Sequence, residues 1–323
     1  MSEPELLVHF TEEDAAKQLR ADVRAGLTDT PKWLSPKWFY DAAGSDLFER
    51  ITELPEYYQT RAEHQILRRH AVEIAELTGA TTLVELGSGS SEKTRLLLDA
   101  LRKTETLREF VPLDVSESAL RAAITAIAVD YPEVLVRGVV GDFTTELAAL
   151  RAGSGRLVAF LGGTIGNLLP SERAEFFSSV RAALQPGEWL LLGTDLVKDP
   201  DRVVRAYDDA QGVTAEFNRN VLRVLNRELD GDFAPEDFTH VALWNSEQEW
   251  VEMRLRATRE LTAALRELQL TAHFDEGEEI RTEISAKFRH QRVRDELEAA
   301  GFGLHRWWTD DAGDFGLSLA IAR

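Results

Sequence analysis

Between Gly79 and Asp195, five apolar runs (TTLVEL, EFVPLDV, VLVRGVVGDF, RLVAFLGG and EWLLLGTDL) alternate with helix-like stretches such as SESALRAAITAIAVDY and PSERAEFFSSVRAALQPG. Runs that are apolar throughout, rather than at every second residue, belong to strands buried on both faces. Such strands, separated by helices, form a parallel doubly wound α/β sheet. Ser116 and Ser171 stand near the expected helix starts, and Gly187 follows the last of these helices. The alternation breaks after Asp195. Residues 196–286 intervene, with the helical stretch DPDRVVRAYDDAQGVTAEFNRNVLRVLNREL and the strand RTEISAKF. Only then do the helix QRVRDELEAAG and a last pair of strands, FGLHRWWTD and DFGLSLAIAR, complete the sheet. The expected organisation is one domain over 61–195 and 287–323, and a second formed by 1–60 and 196–286.

Open sheets of this kind bind ligands outside the carboxyl ends of their strands. The first strand runs into ELGSGSSEKT, which approaches two phosphate-binding patterns and completes neither. The second glycine of G-x-x-x-x-G-K-[ST] and the third of G-x-G-x-x-G both fall on Glu92. A carboxylate at a helix N-terminus opposes a phosphate. The next strand ends carry Asp114, then Asp142 with Phe143, then Gly162, Gly163, Thr164 and Asn167. Asp114 lies 25 residues beyond Gly89, near the spacing at which such folds place a ribose-binding acid. A cationic nucleoside without phosphate satisfies this acidic rim, and S-adenosylmethionine is such a molecule.

With 56 acidic against 37 basic residues, the net charge of −19 argues against nucleic acid, whose phosphates need clustered Lys and Arg. The absence of cysteine excludes disulfides, thiolate catalysis and Cys-based metal sites. The seven histidines show no zinc-type pairing with acids, so no metal is expected. MSEPELLVHF lacks a basic region followed by an apolar one, and no apolar run reaches the length of a membrane span. A cytoplasmic monomer without membrane attachment is the expectation.

ELGSGSSEKT, LDVS, GDF and LGGTIGNL together resemble the consecutive motifs of class I S-adenosylmethionine-dependent methyltransferases. PKWFYDAAGSDLFERITELPEYYQTRAE (36–63), LLLGTDLVKDPDRVVRAYDD (190–209) and EGEEIRTEISAKF (276–288) narrow the resemblance. They are similar to the histidine-specific Nα-methyltransferases of ergothioneine biosynthesis, of the actinobacterial type. The resemblance implies a Rossmann-like doubly wound sheet that binds the cofactor, with an inserted α+β substrate-binding subdomain. It implies that Tyr40, Gly87, Lys93, Asp114, Asp142 and Phe143 contact S-adenosylmethionine. Asp114 would accept the ribose hydroxyls, Asp142 and the Phe143 N–H would read adenine, and Lys93 would pair with the methionine carboxylate.

For the acceptor it implies Tyr57, Asn167, Tyr207, Glu283 and Ser285, with Gly162, Thr164 and Met253 lining the pocket. Asn167 and Tyr207 would donate to the carboxylate of the amino acid, and Glu283 and Ser285 would hydrogen-bond its imidazole. Tyr57 would close the pocket beside the ring. The implied reaction is in-line transfer of methyl groups to the α-amino nitrogen of L-histidine. It proceeds through mono- and dimethyl forms to hercynine and releases S-adenosylhomocysteine. The proton would leave to solvent or through a phenol such as Tyr40, which with Asn167 forms the catalytic pair. Three other readings stand beside this one: methylation of a different amino acid or an indole amine, a nicotinamide dehydrogenase, and a non-catalytic S-adenosylmethionine sensor.

Overall fold

The computed structural model describes residues 4–89, 93–142 and 154–323. In chain order its elements begin with β1 (Glu5–Val8), α1 (Glu12–Thr28), α2 (Ala42–Glu53), α3 (Gln59–Thr78), β2 (Thr82–Leu86) and α4 (Arg95–Lys103). They continue with β3 (Glu109–Asp114), α5 (Glu117–Asp130), β4 (Leu135–Val140), β5 (Arg156–Phe160), α6 (Pro170–Ala183) and β6 (Trp189–Asp195). Then come α7 (Pro200–Tyr207), α8 (Val213–Glu228), β7 (Phe238–Asn245), β8 (Trp250–Ala257), β9 (Leu261–Leu265) and β10 (Leu270–Phe274). The chain closes with β11 (Glu279–Ala286), α9 (His290–Ala299), β12 (Phe302–Thr309) and β13 (Phe315–Ala322). Two compact units result: Met1–Thr11, Gln59–Val197 and Phe288–Arg323 form the first, and Glu12–Tyr58 with Lys198–Lys287 the second.

The first unit holds one sheet in the order β1-β4-β3-β2-β5-β6-β13-β12. All neighbours from β1 to β6 pair in parallel, whereas β13 is antiparallel to both β6 and β12. All five apolar runs form strands. Every residue of β2, β5 and β6 is buried, as expected for strands covered on both faces. Their side chains join those of α3, α4 and α5 in a single core that includes Ile66, Leu67, Leu83, Leu98, Phe110, Leu157 and Leu191. Ser116 caps α5 by accepting from the Ala119 N–H at 3.4 Å. For α6 the start is one residue earlier than Ser171: Pro170 opens the helix and the Glu172 carboxylate accepts from the Leu169 N–H at 2.6 Å.

The units differ from the expected boundaries at several junctions, and Gln59, Thr60, Leu196 and Val197 lie in the first unit. Residues 4–11 belong to the first unit, because β1 pairs in parallel with β4 from Glu5 opposite Arg137 to Val8 opposite Val140, extending the sheet by an edge strand. Gly138 makes room there, since a Cβ on it would lie 3.0 Å from the Leu6 side chain. Lys287, assigned by the expected boundary to the first domain, lies in the second unit.

The second unit pairs β11, β8 and β7 antiparallel, beside the β9–β10 hairpin. Only the last of these strands, RTEISAKF, is expected from the sequence. Phe39, Phe217, Val221, Leu225, Phe238, Leu255, Phe274 and Ile280 form a core of the unit's own. The single helical stretch expected after Asp195 is two helices, α7 and α8. Asp209 turns the chain between them, accepting from the N–H groups of Gln211, Val213 and Thr214.

Arg156 opens β5 and Glu188 precedes β6, and the two form a buried ion pair. Arg156 Nε lies 3.0 Å from both Glu188 oxygens, and the Gln185 N–H also donates to the carboxylate at 2.7 Å. Burial alone would raise the Glu188 pKa, but the donors of Arg156 and Gln185 outweigh it and hold the group below its ordinary value. Removing one partner leaves a buried charge uncompensated. E188Q is expected to lose about 3–5 kcal/mol of stability at neutral pH, read by chemical denaturation. The wild-type contribution is fully present above the ordinary glutamate range and is lost as pH falls through the depressed folded-state value. The acid limb of stability should therefore be shallower in E188Q.

Candidate active site

The order of the first sheet reverses beside β2, whose neighbours are β3 on one side and β5 on the other. The crevice of such a sheet opens at the carboxyl ends of the strands on either side of the reversal. Gly87 leaves β2 with φ +67° and Gly89 follows with φ +49°, a left-handed path that favours glycine. A Cβ on either glycine meets no atom of the described residues within 4 Å, so open space stands over the turn. The N–H groups of Gly87 and Ser88 both donate to the Leu113 carbonyl, at 2.8 and 3.2 Å, which brings the turn against the end of β3. There Asp114 is half-buried, with one carboxylate oxygen accepting from Gly89 N at 3.0 Å and the other from Ser116 N at 2.9 Å. It is thus not the cap of α5, which is Ser116. Burial raises the Asp114 pKa, with the Ser116, Gly89 and Val115 N–H groups acting in the opposite sense. Asp142 is buried just beyond β4, where Gly141 N donates to the Asp114 carbonyl at 3.0 Å. Phe143 lies outside the described residues.

Lys93 precedes α4 rather than lying within it, and its ammonium pairs with Glu63 of α3. Glu63 is fully buried, and its other oxygen accepts from the Gly162 N–H at 2.8 Å. Gly193 on β6 gives the carboxylate its space, since a Cβ there would lie 2.3 Å from the Glu63 oxygen. One buried acid therefore ties the turn after β2 to the end of β5. Nothing in the local sequence RAEHQ distinguishes it from a solvated helix residue. Beyond Gly162, Thr164 donates to the Leu161 carbonyl at 3.2 Å, and a short 3-10 turn carries the half-buried Asn167. An open glycine turn, a carboxylate at the next strand end and an ammonium beside Gly162 suit a ligand with ribose hydroxyls and an amino-acid carboxylate. The residues present therefore fit S-adenosylmethionine.

The second unit carries Tyr40, Tyr57, Tyr207, Met253, Glu283 and Ser285. Tyr40 is 40% exposed and sets its ring edge-on to Phe48 and Phe217, with centroids 5.5 Å away in each case. Phe48 also meets the buried Tyr57 at 6.2 Å, so these four aromatic rings cluster. Met253 and Glu283 are cross-strand partners on β8 and β11. Ser285 shares the face of Glu283 two residues on, and Tyr207 donates to its oxygen at 2.8 Å. That bond uses the Tyr207 proton. Lys287, the next residue on the same face, also reaches both hydroxyls.

A second buried chain of bonds supports the set from beneath. His240 Nε2 donates to the Tyr207 carbonyl at 2.8 Å, its Nδ1 accepts from Asn218 at 2.8 Å, and Thr282 donates to the Asn218 oxygen at 2.7 Å. Burial lowers the His240 pKa, and both ring nitrogens are already matched in the neutral form. His240 is thus a structural residue.

Residues 19–322 match the family described as histidine-specific, S-adenosylmethionine-dependent methyltransferases. The chain belongs to that family. A histidine N-alpha-methyltransferase of Mycolicibacterium smegmatis is 58% identical over 97% of this chain and 98% of its own. That of Mycobacterium tuberculosis is 57% identical over 97% of each chain. A 4-dimethylallyltryptophan N-methyltransferase of Arthroderma benhamiae is 31% identical over 72% of each chain. The relatives of this chain are therefore named for different amino acids. Among the described residues, no helix is long and apolar enough to cross a membrane.

Charge-assisted hydrogen bonds are worth roughly 1.5–3 kcal/mol, which corresponds to about ten- to a hundredfold in affinity. D114N is expected to weaken S-adenosylhomocysteine binding by that factor in calorimetric titration. In the wild type, affinity should fall on acidification before an ordinary aspartate would titrate, because protonation removes an acceptor from a group whose pKa is raised. D114N should lack this limb.

Proposed function

We propose that the protein transfers three methyl groups in succession from S-adenosylmethionine to the α-amino nitrogen of L-histidine. The products are hercynine, as a step of ergothioneine biosynthesis, and one S-adenosylhomocysteine per transfer. What carries the reading is the identity to histidine N-alpha-methyltransferases over nearly the whole of both chains. In this reading the cofactor is held by Tyr40, Gly87, Lys93, Asp114, Asp142 and Phe143. Asp114 accepts the ribose hydroxyls, Asp142 and the Phe143 N–H read adenine, and Lys93, steadied by Glu63, meets the methionine carboxylate. When bound, the cofactor supplies an electrophilic methyl group on a sulfonium. The reading invokes no metal.

Asn167 donates to the histidine carboxylate, Glu283 and Ser285 read the imidazole, and Gly162, Thr164 and Met253 shape the pocket. Tyr207 serves the imidazole side through Ser285 instead of the carboxylate. An α-amino group of pKa about 8 must lose its proton before its lone pair can attack. In this reading the proton leaves to solvent or through a phenol such as Tyr40. Positioning of the amine supplies most of the rate. Each transfer leaves a bulkier cation, which the Tyr40, Phe48 and Tyr57 rings hold by cation–π attraction.

Incubation with S-adenosylmethionine and the twenty amino acids plus tryptamine-like amines, followed by mass spectrometry, should show histidine alone gaining three methyl groups. A different methylated amine would remove Glu283 and Ser285 from their assigned roles. Dimethylhistidine should bind at least as tightly as histidine, and its exclusion would defeat the trimethylation. E283Q is expected to lower kcat/KM for histidine by roughly ten- to a hundredfold, because the site keeps its shape but loses its charged acceptor.

A further inference from the structure

We propose that Lys287 is a positioning residue that fixes the Ser285 hydroxyl as a donor, so that the acceptor pocket reads the neutral imidazole ring. The proposal rests on the reading of the acceptor as histidine. Lys287 is fully buried, and its Nζ lies 2.9 Å from both the Tyr207 and the Ser285 oxygens. An ammonium has donors only, so both oxygens accept from it. Tyr207 in turn donates to Ser285. The Ser285 oxygen therefore accepts twice, and only its proton remains to be placed. Among the described residues nothing accepts that proton, although Ser285 is buried. A buried donor of this kind is costly unless a ligand completes it.

Two residues back on the same strand face stands Glu283, which when ionised can only accept. A fixed donor beside a fixed acceptor matches neutral imidazole, in which one ring nitrogen accepts and the other donates. An imidazolium presents two N–H groups and would set one of them against the Ser285 proton, with the Lys287 ammonium behind it. Indole offers an N–H to Glu283 but no ring acceptor to Ser285, so it leaves the serine unpaired. A carboxylate alone would favour the charged ring. Lys287 reverses that sign through Ser285. The neighbouring ionisable groups do not supply this effect. His240 on β7 is kept neutral by burial, with Asp208 at 4.0 Å from its ring, and meets Tyr207 only at its carbonyl. Glu252 on β8 faces burial that would raise its pKa, but Trp250 and Arg254 donate to it and hold it below its ordinary value.

The test is the histidine dissociation constant of the full-length protein with S-adenosylhomocysteine present, measured by calorimetry between pH 6.0 and 7.5. For a ring of pKa about 6.5, the wild type should lose roughly fourfold in affinity at the acid end, in step with the neutral fraction. K287R, which keeps the donors and charge, should retain this slope. In K287M the serine can turn to accept an N–H, so the slope should vanish or reverse, a change that loss of packing alone would not produce. Tighter wild-type binding on acidification, or a wild-type slope in K287M with native circular dichroism, overturns the proposal. If K287M does not fold, the wild-type slope and K287R still decide. A wild type that binds no histidine at any pH withdraws the acceptor reading itself.

Discussion

The reversal of strand order beside β2 is the constraint from which the cofactor half of the site follows. The chain fills one side of that strand with β3, β4 and β1 and then returns to fill the other with β5, β6, β13 and β12. In open sheets of this kind a crevice forms outside the carboxyl ends of the strands at such a reversal. Gly87, Asp114, Asp142 and Gly162 lie far apart in the chain, yet each follows the end of a parallel strand and so reaches the same edge. The reversal also leaves a mechanical gap, which Glu63 spans by holding Lys93 from the β2 side and the Gly162 N–H from the β5 side. A buried charge survives only when paired and hydrogen-bonded, and this one has both. The pair that would otherwise be a liability in the core thus becomes a tie between the turn after β2 and the end of β5.

The second unit solves a different problem: holding polar side chains in fixed directions inside a hydrophobic core. Its answer is a pair of connected hydrogen-bond chains. One runs from the Tyr207 carbonyl through His240 and Asn218 to Thr282, and the other joins the Tyr207 hydroxyl, Ser285 and Lys287. Both chains meet at Tyr207, one on its backbone and one on its side chain. The bond at the carbonyl holds the backbone of Tyr207, and Ser285 and Lys287 hold its hydroxyl.

This chain is similar to relatives named for histidine and for a tryptophan derivative. Polar groups that demand a partner discriminate more strongly than apolar walls, because the wrong substrate leaves them unpaired. The Glu283–Ser285 pair on one strand face is a feature of this type.

The sequence alone determined the parallel sheet, the order of its ligand-facing ends and the family, since these rest on local patterns: apolar runs, glycine turns and motifs contiguous along the chain. Three features were not legible there. The edge strand β1 is four residues long and gains its place only by pairing with β4. The antiparallel strands β7 to β10 carry weaker alternation than the buried runs of the first sheet, and a strand that is half exposed looks much like a loop. Glu63 and Lys287 are not among the candidate site residues read from the sequence, although the spacing of Glu283, Ser285 and Lys287 at two-residue steps carried a signal that they share a face. Their roles were decided by tertiary structure, because the Glu63 carboxylate and the Gly162 amide are 99 residues apart in sequence and Lys287 and Tyr207 are 80 apart. A charge becomes a structural or selective element only when burial removes its water and leaves specific partners in reach, and burial is a property of the fold.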